Sequence, residues 1–185
     1  MATTSSTILP LVFEPHPILH KQSKEVHIIN DEIKDFSKSL VTTMKYHNGL
    51  GLAAVQVGVL KKIIAINTTN FQESSKESLK EKEDFRILIN ATIVEESKER
   101  KTYNEGCLSY GNIFPEIIRA KRVKVQYLDL HSKTRFLEIS DNILSACLQH
   151  EIDHTNGIVF LDRMSRIKKE FIMKKYLKWR NRKSN

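Results

Sequence analysis

Cysteine is nearly missing from this chain: Cys107 and Cys147 are the only two in 185 residues. Two cysteines cannot build the disulfide framework of a small secreted domain, so the expected setting is reducing and cytoplasmic. No apolar run approaches the roughly 18 residues that a membrane span requires, and no membrane partner is expected. Met1 to Pro10 is rich in Ser and Thr and lacks a basic segment leading into a long apolar one. It reads as a frayed tail over residues 1–8 rather than a secretory signal. Internal repeats are absent, which excludes a solenoid. Acidic residues are in deficit, 22 Asp and Glu against 30 Lys and Arg, for a formal net charge of +8. That excess suits an anionic partner and equally suits plain solubility.

What is present is a globular composition, 40% hydrophobic and 28% charged. The length suits one domain, 1–185, with a proper core. The chain is organised around Gln149-His150-Glu151-Ile152-Asp153-His154-Thr155-Asn156-Gly157, which contains H-E-x-x-H. On a helix the two histidines, four apart, share one face and can share one metal ion. Glu151 beside them can reach a water on that metal as a general base. Asp141 to Leu148 reads as the start of that helix, with Asp141 helping to cap it and Gly157 stopping it. The same pattern also arises by chance on surface helices, and no His follows His154 to complete a zinc-peptidase set.

Taken in order, Asp31 opens a helical pattern carried by Ile33, Phe36, Leu40 and Met44, with His47 at its end. Gly49 to Gly58 (GLGLAAVQVG) reads as a tight turn before a core strand, in which a buried Gln56 must find partners. Lys61 to Asn67 and Arg86 to Val94 read as strands. Residues 68–84 between them are polar and charged, a solvated insertion without chemistry. Arg122 to Leu130 and Thr134 to Ile139 form a strand pair around His131-Ser132-Lys133.

Two cysteines compete to be a third ligand. Cys147 lies seven residues from His154, about 10 Å along a helix axis. Ligand atoms of one ion lie only about 3–4 Å apart. Cys147 is better read as an apolar wall beside the metal, together with Ile143 and Ala146. Cys107, in Glu105-Gly106-Cys107-Leu108-Ser109, can be brought to the helix by folding. A lone cysteine is also an ordinary buried residue.

Three stretches together, G-L-G-L-A-A-V-Q at Gly49 to Gln56, E-G-C-L-S at Glu105 to Ser109 and H-E-I-D-H at His150 to His154, closely resemble the motifs of the peptide deformylase family. The resemblance covers about Ile8 to Lys178. It implies that Cys107, His150 and His154 hold a divalent metal, usually Fe²⁺, with Zn²⁺, Ni²⁺ or Co²⁺ able to take its place. It implies hydrolysis of the N-formyl group of formylmethionine at the start of nascent chains, releasing formate. Glu151 would move the proton, and the Gln56 amide and the Leu108 backbone N–H would stabilise the oxyanion. Gly51 and Gly106 would lie against the substrate, and Leu50, Ile143, Ala146 and Cys147 would take the methionine. Glu105, paired with Arg119, would support the ligands. The chain departs from the family pattern at Tyr110-Gly111, where Ile or Val and then Pro are usual. It departs again at Phe114, where many bacterial members carry Arg.

The final segment, Arg166 to Asn185, holds nine Lys or Arg and one Glu. Ile172, Tyr176 and Trp179 share a stripe, so a helix over 165–181 is expected, its basic face solvated or meeting ribosomal RNA. The expected fold is α+β: short antiparallel sheets packed around a central metal-binding helix, with a C-terminal helix and a monomeric state. A metallopeptidase and a basic RNA-binding protein with a dead site are the competing readings. The position of Cys107 and the intact Glu151 and Gln56 argue against them.

Overall fold

The structure is a computed structural model that describes residues 6–68 and 85–183. Apart from Thr68, the insertion expected over 68–84 lies outside the described residues, as does the start of the tail.

The first helix, α1 (Asp31–Tyr46), begins where Asn30 accepts a hydrogen bond from the Ile33 N–H at 3.1 Å. Asp31 and Glu32 stand in its first turn, where the helix dipole favours negative charge. Ile33, Leu40 and Met44 are buried on its inner face, and His47 caps its end, as the spacing predicts. The following stretch makes a short strand, β1 (Gly51–Ala53), and a 3-10 turn (Ala54–Val57).

Strand β2 (Ile63–Asn67) is buried from Ile63 to Ile66, which explains its unbroken apolar run. Ile64 and Ile66 pack into one core and Ile63 and Ala65 into another, because successive side chains leave opposite faces of the strand. Strand β3 (Phe85–Glu96), strand β6 (Arg122–Leu128) and strand β7 (Thr134–Ser140) complete an antiparallel sheet in the order β1-β2-β3-β6-β7. The β6–β7 hairpin turns at Asp129, whose Oδ1 accepts from the N–H groups of His131 and Lys133, both at 2.9 Å. A further antiparallel pair joins β4 (Arg100–Asn104) to β5 (Glu116–Ala120). The sequence reading missed this pair. Both strands are short, and β4 is almost wholly exposed, so neither carries a local apolar pattern strong enough to be read.

Helix α2 (Ile143–Thr155) lies between these layers and is buried from Leu144 through Thr155. Its cap is Asn142, which accepts from the Leu144 N–H at 3.0 Å. Asp141 does not cap it. That residue sits at φ 51 and binds Lys101 at 2.6 Å. A helix buried all round must satisfy its polar residues internally. Gln149 does so by exchanging two 3.0 Å hydrogen bonds with the backbone of Ala120 in β5. Helix α3 (Arg166–Lys183) closes the chain close to the expected bounds. Its Tyr176 is fully buried beside Tyr110, Phe160 and Leu161. The architecture is α+β, antiparallel sheets around a central helix with a C-terminal helix outside. No helix among the described residues is long and apolar enough to cross a membrane.

Candidate metal centre and cleft

The β4–β5 pair pinches the segment between its strands into a loop closed by a 3.0 Å bond from the Glu105 N–H to the Pro115 carbonyl. This loop carries Cys107 to α2. The Cys107 thiol lies 3.3 Å from His154 Nε2, which lies 3.2 Å from His150 Nε2. All three donor atoms fall within 4.8 Å of one another and all three residues are buried. Metal–ligand bonds of about 2.0–2.3 Å place donors at such separations. Cys147 is outside this group, on the wall of the cleft.

The donor set fits a divalent cation on two counts. Glu105 Oε2 lies 2.9 Å from His150 Nδ1. A neutral ring there, with its proton on Nδ1 toward that carboxylate, would present the Nε2 lone pair to the cluster. The electrostatics favour a neutral imidazole, free to act as a ligand, at His154, and positive charge beside Cys107 and Glu105 at His150. At His154, burial and the nearby His150 and Arg119 push the imidazole well below its usual range. At His150, burial opposes the charged form, but Cys107 and Glu105 outweigh it and raise the ring well above its usual value. Thiolate and imidazole donors suit several first-row metals.

Behind the cluster runs a buried ion network. Arg119 grips Glu105 with two nitrogens, Nε to Oε1 at 2.6 Å and Nη2 to Oε2 at 3.0 Å. Its third nitrogen reaches Asp153 Oδ2 at 2.5 Å. Arg163 also binds Asp153, with Nε at 3.0 Å from Oδ2. Burial works to raise the Glu105 carboxyl, yet Arg119 and His150 hold it below the ordinary carboxylate range. The Glu105–Arg119 pairing is where the sequence reading put it. Asp153 and Arg163 were missed, although Asp153 stands inside H-E-I-D-H.

A cleft of about 440 Å³ opens in front of the cluster. Leu50, Gly51, Gly106, Leu108, Ile143, Ala146 and Cys147 line it, together with Gln56, Glu151 and Cys107. His47, Asn48, Asn104, Gly111 and Phe114 line it as well; of these five only Gly111 and Phe114 stand out in the sequence, as departures from the family pattern. Gly51 passes so close to α2 that a Cβ would meet Glu151 Oε1 at 2.5 Å and Cys147 Sγ at 2.7 Å, so any side chain there would have to displace them. At Gly106 a Cβ would meet the Phe114 ring at 2.5 Å, but that ring is exposed and can swing aside.

Two polar groups point into this cleft. Gln56 is fixed at one end by the Ala53 N–H, which donates to Oε1 at 2.8 Å. Its Nε2 then faces Ser109 Oγ at 3.2 Å and Cys107 Sγ at 3.5 Å. Glu151 is buried, and its Oε2 has no hydrogen-bond partner among the described residues. Burial, with Glu105 adding to it, pushes the Glu151 carboxyl up to about 7, against the pull of His150. A buried carboxylate with one oxygen unsatisfied is suited to taking a proton near neutral pH.

The polypeptide deformylase family model matches residues 8–170. A peptide deformylase of Brucella suis biovar 1 is 37% identical over 172 residues, covering 93% of each chain. The crystal structure of a peptide deformylase from Legionella pneumophila superposes with a TM-score of 0.84 at 28% identity, over 97% of this chain and 99% of that one. One from Ehrlichia chaffeensis, in complex with actinonin, superposes with a TM-score of 0.80 at 37% identity, over 93% and 97%.

Proposed function

Because this chain belongs to the peptide deformylase family of hydrolytic enzymes, we propose that it removes the N-formyl group from the formylmethionine that begins a nascent polypeptide. The observation that carries the reading is the meeting of Cys107, His150 and His154 in one cluster, with Glu151 and Gln56 facing the same cleft. Cys107, His150 and His154 would hold the metal, with Fe²⁺ as the native ion and Zn²⁺, Ni²⁺ or Co²⁺ able to replace it. A divalent cation there supplies a Lewis acid that acidifies water and polarises the formyl oxygen.

The chain's own residues do the rest. Glu151 takes a proton from the attacking water as its oxygen bonds to the formyl carbon. The same carboxyl returns that proton to the amine as the C–N bond breaks, leaving formate and a free N-terminus. The Gln56 amide and the Leu108 backbone N–H donate to the developing oxyanion. Gly51, on the edge strand β1, pairs with the extended peptide backbone. Leu50, Ile143, Ala146 and Cys147 form the methionine pocket, and Gly106 gives the peptide room beside Phe114. Glu105 and Arg119 fix the ligands in place.

The same reading takes the chain as a single catalytic domain, acting as a monomer in the cytoplasm. Lys168, Lys174, Lys175 and Lys178 are exposed along α3 and suit contact with ribosomal RNA. The test is formate release from a formyl-Met tripeptide by protein purified without oxygen and loaded with Fe²⁺, with a Ni²⁺-loaded sample alongside. Turnover supports the reading. Two fully metallated samples without turnover reject it for this substrate.

A further inference from the structure

The 3-10 turn Leu108–Tyr110 follows Cys107 directly, and α3 closes over it from outside. Tyr110 is 1% exposed. Its ring meets Phe160 edge-on with centroids 4.7 Å apart and lies tilted against Tyr176 at 5.2 Å. Tyr176 stacks on Trp179 at 6.1 Å. The turn ends at Gly111, where φ is 62 and a Cβ would lie 2.0 Å from the Trp179 indole. The absence of a side chain is what lets the indole rest against the loop backbone.

A polar path runs beside this stack. Tyr176 Oη donates to the Glu14 carbonyl at 2.7 Å, and Arg180 Nη1 donates to the same oxygen. The Glu14 N–H donates to the Ser109 carbonyl at 3.1 Å. Ser109 Oγ in turn accepts from Gln56 Nε2 at 3.2 Å. Neither Tyr176 nor Trp179 lines the cleft, yet both touch what holds Cys107 and Gln56.

A turn this short orders itself poorly. It has one backbone bond of its own, Tyr110 N–H to the Cys107 carbonyl at 2.9 Å, and it ends in glycine. Packing by buried aromatic rings supplies order that the turn lacks. We propose that Tyr176 and Trp179 are positioning residues, through which α3 clamps the Cys107–Gly111 turn and sets where the Cys107 thiol and the Gln56 amide stand. The positional claim stands on this geometry. Its kinetic consequence rests on the deformylase reading.

The experiment measures alkylation of the two thiols by iodoacetamide in the full-length chain, with and without a chelator, resolved by peptide mass spectrometry. Cys147, on α2, is the internal reference. Trp179→Ala is expected to speed Cys107 alkylation about fivefold or more relative to Cys147, as loss of local order exposes the turn. Trp179→Phe, which keeps a ring over Gly111, should restore most of the protection. An unchanged ratio overturns the proposal, whether both rates hold or both rise together, since a parallel rise means that the helix only stabilises the whole fold. If Trp179→Ala does not fold, Tyr176→Phe removes only the hydroxyl bond to Glu14 and is read the same way: a smaller rise in the ratio supports the clamp, and no rise overturns it. Where the wild type releases formate, the clamp also predicts a fall in kcat with KM for the formyl peptide held. A wild type without turnover counts against the deformylase reading and leaves the thiol ratio readable.

Discussion

His150 Nδ1 and Glu105 Oε2 stand 2.9 Å apart in the interior, so one imidazole of the cluster is oriented by a carboxylate that Arg119 itself grips with two nitrogens. Removing the charge from that carboxylate should loosen the ring without deleting a ligand. Glu105→Gln is expected to weaken metal binding about 10–100-fold, read by competition with a chromogenic chelator. Unchanged affinity would mean that Glu105 does not orient the ring.

Arg119 balances two buried carboxylates, Glu105 and Asp153. Arg119→Leu leaves both without their shared partner. Breaking a buried pair in this way costs about 3–5 kcal/mol, so the variant should unfold at markedly lower denaturant concentration. A midpoint near that of the wild type would show that Arg163 suffices for Asp153 and that His150 suffices for Glu105.

Gly51 has no space for a side chain, because a Cβ would press on Glu151 Oε1 at 2.5 Å. Gly51→Ala should displace the Glu151 carboxyl and lower kcat/KM about 100-fold, the scale of loss that a misplacement of about 1 Å produces. Circular dichroism should remain that of a folded chain. Activity within a few-fold of the wild type would contradict the close approach.

Gln56 and Ser109 separate an expected oxyanion donor from its support. Gln56→Ala should lower kcat about 10²–10³-fold, the range seen when one such donor is lost. Ser109→Ala removes only the 3.2 Å bond that steadies Nε2 and should have a much smaller effect in the same direction. Equal losses in the two variants would mean that Ser109 acts on the substrate itself.

As the proposed base, Glu151 should set a pH limit. Burial raises its carboxyl to about 7, and a general base works only when ionised. A bound dication favours the ionised form and pulls that value down. The acid limb of kcat/KM should therefore fall at or below about 7, with activity lost as pH drops through it. A limb lying clearly above 7 would argue against this assignment.

The helical features were legible because their signals are local. His150, Glu151 and His154 announce one helix face within five residues, and β2, β3, β6 and β7 carry apolar runs or alternation that read directly. The pairing of Arg100–Asn104 with Glu116–Ala120 was not legible, since short strands with charged and exposed positions declare themselves only through a distant partner. Asp141 and Asn142 are both good caps by type. The choice fell to Asn142 because the backbone turns at Asp141 with φ 51 and gives its carboxylate to Lys101. Asp153 meeting Arg119 and Arg163, and Gly111 meeting Trp179, are contacts across the fold that no spacing rule reports.

Metal content and formate release measured together on Glu151→Ala separate metal binding from proton transfer. The variant is expected to bind metal as the wild type does, through Cys107, His150 and His154, and no longer to release formate from a formyl-Met peptide. A variant that retains metal and still turns over at the wild-type rate would contradict the general-base role, because the proton would then be moved by some group other than Glu151.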